Sequence, residues 1–238
     1  MKRSRAKASQ TSTLLIIGTS GVGKTMLMRQ LKRKLVCRGG ADASGPKGDD
    51  DEAVIRTDTI ATVGFETTTV TMPRGGRGAG GRRSEAGAVT LREVGSPMML
   101  MWSKYYAAAT TIVYVVDGAD ASRVAPSWVE LLRLLGELRQ APAAAPAVAV
   151  LVNKTDLCSG ADAAAAVRAT MRLDELAPAC APRPLAIFEG SSVTGSGVDE
   201  LLDWALAPQL AAAMTDDAPA EQGDDLAEEE YWNDSSVF

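Results

Sequence analysis

Short apolar runs alternate with helix-spaced segments along most of this chain. Residues 13–17 form a short apolar run that enters a glycine-rich turn, which reads as a buried strand. Residues 24–36 have helical composition, and 63–71 and 88–94 carry alternating, β-branched character. Three further apolar runs, 111–116 (TIVYVV), 147–152 (AVAVLV) and 185–188, read as buried strands. Helices are expected at 127–139, at the Ala-rich 161–176 and at 198–210. Buried strands alternating with helices predict an α/β fold, a mostly parallel sheet with helices on both faces. Residues 38–58, rich in Gly, Asp and Ala, read as a loop insertion, and the Gly/Arg stretch 74–87 as a hairpin-tip insertion.

Composition narrows the class. At 238 residues and 46% hydrophobic, the chain can bury one sizeable core. The longest apolar stretches, such as 141–152, are too short to cross a bilayer, and the run 14–17 is too short for a signal-peptide core. A cytoplasmic protein is expected. Cys37, Cys158 and Cys180 have neither redox nor zinc spacing, so they read as plain thiols. With no histidine in the chain, imidazole bases, His triads and His metal sites drop out. The net charge of −5 is uneven. Nine acidic and no basic residues fall between Thr215 and Phe238, leaving a mildly basic body. One domain is expected over 13–210, between a flexible basic lead (1–12) and a disordered acidic tail (211–238).

The first chemical signal lies where the first strand meets the first helix. Gly18-Thr19-Ser20-Gly21-Val22-Gly23-Lys24-Thr25 fits G-x-x-x-x-G-K-[S/T] in full. Glycines let such a backbone wrap closely around phosphate oxygens, with N–H groups pointing inward at a helix N-terminus. Lys24 would neutralise the β- and γ-phosphates, and the Thr25 hydroxyl would meet Mg²⁺. Met26 completes the candidate phosphate set. The loop says nucleoside triphosphate without naming the base.

A second signal follows the strand at 147–152. In Asn153-Lys154-Thr155-Asp156 the ionised Asp156 is an acceptor-only group. It can accept from guanine N1–H and the 2-amino group, whereas adenine would leave it unpaired. The Lys154 stem would lie over the base. The turn Gly190-Ser191-Ser192-Val193-Thr194-Gly195 follows the next strand, and the Ser192 N–H could meet guanine O6. A plain Ser/Gly turn and helix cap is the other reading of that turn.

In this order these elements resemble small GTPases of the Ras/Arf type across residues 13–210. Thr62-Val63-Gly64-Phe65 is similar to the first switch of the Arf family, which implies that Thr62 supplies a second Mg²⁺ hydroxyl. Val113-Tyr114-Val115-Val116-Asp117 and Leu202-Asp203-Trp204 are also Arf-like. The second switch departs from the family pattern W-D-V-G-G-Q, because this chain reads Arg92-Glu93-Val94-Gly95-Ser96-Pro97. By that resemblance Glu93 stands where an Asp holds Mg²⁺ through water, and Ser96 where a Gly N–H meets the γ-phosphate beside Gly95. Pro97 takes the place of the Gln that orients the attacking water. The string Thr90–Gly95 with Trp102-Ser103-Lys104-Tyr105-Tyr106 resembles a divergent Arf-like branch with an R-E-L-G second switch.

The resemblance implies GTP or GDP with Mg²⁺, effector and regulator proteins, and a switch in membrane or ciliary traffic. The altered second switch implies slow hydrolysis with no confident catalytic residue, or alternatively a non-cycling, GTP-bound scaffold. Lys2 at the myristoylation position and the lack of a prenylation box predict no intrinsic lipid anchor. The Arg/Gly stretch has no flanking RNA-stacking aromatics, so no nucleic-acid partner is expected. A monomer is expected.

Overall fold

The computed structural model describes residues 11–38, 62–72, 87–141, 145–158, 162–181 and 184–215. The basic lead, the insertions at 39–61 and 73–86, and the acidic tail from 216 lie outside the described residues.

Among the described residues, six strands form one sheet: β1 (Thr11–Ile17), β2 (Phe65–Met72), β3 (Gly87–Val94), β4 (Thr111–Asp117), β5 (Ala147–Asn153) and β6 (Leu185–Glu189). Their spatial order is β2-β3-β1-β4-β5-β6. Only the β2–β3 pair is antiparallel, with Phe65 opposite Val94; the other four pairings are parallel. The helices are α1 (Lys24–Arg38), the single turn α2 (Ser103–Tyr106), α3 (Val124–Arg139), α4 (Asp162–Thr170), α5 (Leu173–Ala179) and α6 (Val198–Thr215).

The two-residue period of the strands divides the core into two layers. Leu15, Ile17, Ile112, Tyr114, Val116, Val148 and Val150 face α3, α4 and α5. Leu14, Ile16, Val113, Val115, Ala149 and Leu151 face α1 and α6. Strands covered on both sides need continuous apolar runs, which is why β1, β4 and β5 do not alternate in sequence. Each such Leu or Ile, fully buried, stabilises the fold by roughly 1.5–3 kcal/mol.

Several elements differ from the sequence expectations. The run at 185–188 is only partly buried, because β6 is the sheet edge and has one strand neighbour. The helix expected over 161–176 is two helices, broken where Arg172 takes a left-handed φ of 46°. Its Ala-rich sequence carries no Gly or Pro to mark the break. Helix α3 starts three residues before Ser127, with Pro126 in its first turn, where a missing N–H costs nothing. Helix α6 runs to Thr215, beyond the expected end at 210. The free thiols Cys37, Cys158 and Cys180 form no disulfide among the described residues.

The parallel register brings the carboxyl ends of five strands to one edge. Ile16 pairs with Glu93, Ile17 with Tyr114, Asp117 with Asn153, and Val152 with Glu189. The loops leaving these ends therefore converge, the usual place for ligands in such sheets.

Candidate functional site

A cleft of about 300 Å³ opens at that edge. Its floor is the loop from β1 to α1. Lys24 is buried, and its Nζ donates to the carbonyls of Gly18 (3.0 Å) and Thr19 (2.8 Å), closing the loop around the ammonium. Burial lowers the Lys24 pKa to about 8, with the nearby Glu93 carboxylate pulling the other way. Gly23 has a φ of +96°, and a Cβ there would sit 2.4 Å from Asn153 Nδ2, so only glycine fits. The Thr19 hydroxyl lies 3.0 Å from that of Ser127, tying the loop to α3.

On one side of the floor three oxygens meet. Thr25 Oγ1 donates to Glu93 Oε1 at 2.9 Å, Thr62 Oγ1 donates to the same oxygen at 3.1 Å, and the two hydroxyls lie 3.3 Å apart. Glu93 is 1% exposed, and its other oxygen, Oε2, is buried without a partner. A buried carboxylate with an idle oxygen is costly unless a cation joins it. Hard oxygen donors of this kind could hold a small divalent cation. Among the described residues no cluster of three His, Cys, Asp or Glu could hold a metal unaided, so ligand phosphates would complete the shell. Gly95 binds this corner together. Its N–H donates to Gly64 O at 2.8 Å, and a Cβ there would fall 2.0 Å from Thr62 O.

The other end of the cleft is built by Asn153, which is 1% exposed. Its Nδ2 donates to Val22 O at 2.7 Å, and its Oδ1 accepts from the N–H (2.8 Å) and hydroxyl (2.9 Å) of Ser192. One amide thus fastens the phosphate loop, the end of β5 and the turn after β6. Lys154 adopts a left-handed φ of 67° and donates to Asp117 Oδ2 at 2.6 Å. Asp156 is exposed, and its carboxylate has no hydrogen bond or ion pair among the described residues. It is an open acceptor at the mouth of the cleft.

Of the residues singled out in the sequence, Ser20, Gly21, Gly23, Lys24, Thr25 and Met26 line the cleft along its floor. Thr62, Glu93 and Gly95 line it at one side, and Asn153, Lys154, Asp156, Ser192 and Val193 at the other. Gly18 lies beneath the loop, Val22 is in the core, and Ser191 is buried in its turn. The Ser191 hydroxyl oxygen accepts from the N–H groups of Val193 and Thr194, the plain-turn role. The Ser192 N–H, expected to face a purine oxygen, donates to Asn153 here. Pro97 is exposed, in the first turn of a 3₁₀ helix (Ser96–Met101), where it needs no N–H.

Ser96, which the resemblance sets beside Gly95, also lines the cleft. Three contributors were not foreseen from the sequence. Leu157 lines the cleft as an exposed apolar side chain beside Asp156. Asp117 holds the Lys154 ammonium. Arg123 donates from Nη1 to Ser20 O at 2.5 Å and is steadied by Asp120, which accepts from Nε at 2.9 Å. Hydrogen bonds from Ser122, and then from Arg123, hold the Asp120 pKa below its usual value. The only sequence trace of this cap is the Asp120-x-x-Arg123 spacing after a strand.

The fold and the cleft define a P-loop nucleotide-binding domain of the small-GTPase kind. The chain belongs to the ADP-ribosylation factor family, a family of guanine-nucleotide-binding proteins whose sequence model matches residues 56–208. It is 29% identical over 197 residues to human ADP-ribosylation factor-like protein 16, covering 83% of this chain and 86% of that protein. It is likewise 29% identical over 196 residues to ADP-ribosylation factor-like protein 1 of Drosophila melanogaster, covering 82% and 88%. In fold it is similar to the Arl6 BBS3 small GTPase of Trypanosoma brucei, solved with the nucleotide analogue GppNp. The TM-score is 0.59 at 21% identity, over 87% of this chain and 99% of that one.

Proposed function

We propose that this chain is an Arf-like molecular switch that binds GTP and GDP with Mg²⁺, engages partner proteins in its GTP form, and hydrolyses GTP slowly. One observation carries the reading. A complete phosphate loop, an oxygen set with an unpaired buried carboxylate oxygen, and an open Asp156 carboxylate share one cleft. Phosphates would lie on the Gly21–Thr25 backbone with Lys24 as counter-charge. Thr25, Thr62 and Glu93 would hold Mg²⁺, which offsets phosphate charge when bound. Asp156 would accept from the guanine edge, with the Lys154 stem and Leu157 along its plane.

Partner binding fits the surface beside Thr62. Val63 (77% exposed), Phe65 and Leu100 (78% exposed) leave apolar area in solvent next to the groups that a γ-phosphate would order. Phe65 packs against Tyr105, whose ring also lies 5.8 Å from the Arg92 guanidinium carbon. Effector and regulator proteins are the natural class for such a face. We assign the chain a role in membrane or ciliary traffic, the family's working context, and a cytoplasmic home with any membrane residence through partners.

Slow hydrolysis is the chemical consequence of Pro97. Phosphoryl transfer depends on positioning the attacking water. Pro97 has neither a side-chain amide nor an N–H, and the chain has no histidine to replace it. The test is single-turnover hydrolysis of labelled GTP on pure protein, with Lys24→Ala as the blank for contaminating enzymes. The expected rate is below the ~10⁻⁴ per second of ordinary unaided small GTPases. Pro97→Gln alone is expected to restore little, because Glu93 and Ser96 have changed as well. A wild-type rate at or above that value contradicts the reading of Pro97.

A further inference from the structure

Two hydroxyls crowd one oxygen of Glu93 while its other oxygen, equally buried, receives nothing. The three-oxygen triangle has another description. Its sides are 2.9, 3.1 and 3.3 Å. In an octahedral Mg²⁺ shell with bonds of about 2.1 Å, adjacent ligands lie about 3.0 Å apart. A point about 2.1 Å from all three oxygens exists about 1.1 Å off the plane of the triangle. Thr25, Thr62 and Glu93 therefore have the spacing of one face of an octahedron.

We propose that Glu93 binds the divalent cation directly, replacing the metal-bound water through which an aspartate would act. This rests on the reading that the cleft takes a nucleotide with Mg²⁺. The extra methylene of glutamate extends the carboxylate by about 1.5 Å relative to aspartate, roughly half the span of a bridging water. The backbone cannot retreat to make room for that water. Glu93 is held by its register opposite Ile16 in β1 and Glu66 in β2, and the adjoining Gly95 N–H is tied to Gly64 O. Three protein oxygens on one face leave the opposite face for two phosphate oxygens and a single water. Glu93 thereby joins the strand end of β3 to the ion itself, and the first and second switches share a metal bond.

The test counts metal-bound water. Full-length protein is loaded with Mn²⁺ and a non-hydrolysable GTP analogue, and its electron paramagnetic resonance lines are compared in ordinary water and in water enriched in the magnetic oxygen isotope. Direct ligation predicts about one bound water in the wild type and about two in Glu93→Asp, whose shorter arm readmits a bridging water. A wild-type count of about two overturns the proposal, and that count decides even if Glu93→Asp does not fold. Nucleotide bound without Mn²⁺ also overturns it. Failure to bind the nucleotide at all instead overturns the reading beneath, and the proposal falls with it.

Discussion

Lys24 carries the sharpest single-residue consequence. Its pKa of about 8 reflects a buried ammonium that burial disfavours. Phosphates placed against it favour the charged form and raise that pKa. Below about 8 the lysine is already protonated, so nucleotide binding there exchanges no proton at this group. Above about 8 the free protein has lost the proton and the bound one regains it. Calorimetry in buffers of different ionisation enthalpy near pH 9 is therefore expected to show uptake of a fraction of a proton that shrinks toward neutral pH. Proton release in that window would contradict the placement of phosphate on Lys24. The same residue contributes to stability with a fixed sign. Between about 8 and the ordinary lysine value the unfolded chain binds more protons, so the free protein gains stability as pH rises through that range.

Asp156 is the residue on which base choice turns. Asp156→Asn exchanges an acceptor pair for an amide that can donate to the 2-oxo group of xanthine. Loss of charge-assisted hydrogen bonds is expected to weaken GDP by about 10- to 100-fold while xanthosine diphosphate gains. Fluorescent-nucleotide displacement measures both. Unchanged preference in the variant would remove Asp156 from the base site.

At the scale of elements, the break between α4 and α5 is a local strain. Arg172 holds φ 46° and ψ 41°, a left-handed conformation that costs a residue with a Cβ about 1–2 kcal/mol. Its ion pair with Glu175 is fully exposed and offsets little. Arg172→Gly is therefore expected to raise stability by about 0.5–1 kcal/mol in thermal or urea unfolding. A fall in melting temperature would mean that the arginine side chain contributes more than its backbone costs.

The same elements mark how far the sequence could be read. β1, β4 and β5 were legible because strands covered on both faces must be apolar throughout, a property each strand carries alone. The phosphate loop and Asn153-Lys154-Thr155-Asp156 were legible because their chemistry is local in the chain. The exposure of β6 was not, because edge position depends on sheet order rather than on the residues of the strand. Arg123 meets Ser20 across 103 positions, and Asp117 meets Lys154 across 37, so neither contact leaves a short-range pattern. Asn153 was foreseen as part of a base-reading motif, yet its amide is spent bracing Val22 and Ser192. A motif names residues near a ligand without dividing them into those that touch it and those that hold the others.

At the scale of the whole molecule, the sheet edge gathers elements from four strand ends into one cleft, and the family match through residues 56–208 spans all of them but the phosphate loop. Within this frame the chain retains the phosphate loop, both threonine hydroxyls and the base-end aspartate, while the second switch has changed at three functional positions, Glu93, Ser96 and Pro97. On the proposed reading binding and catalysis are separated: the cleft would hold and sense a triphosphate and would cleave it poorly.

Guanine-nucleotide binding in this cleft is measured by competition on the pure protein with Mg²⁺. Labelled GDP is bound first, and unlabelled GTP, GDP and ATP are added in parallel. GTP and GDP are expected to displace the label at similar low concentrations, and ATP to leave it bound even in large excess. ATP displacing the label as well as GTP does would show that the cleft does not select guanine.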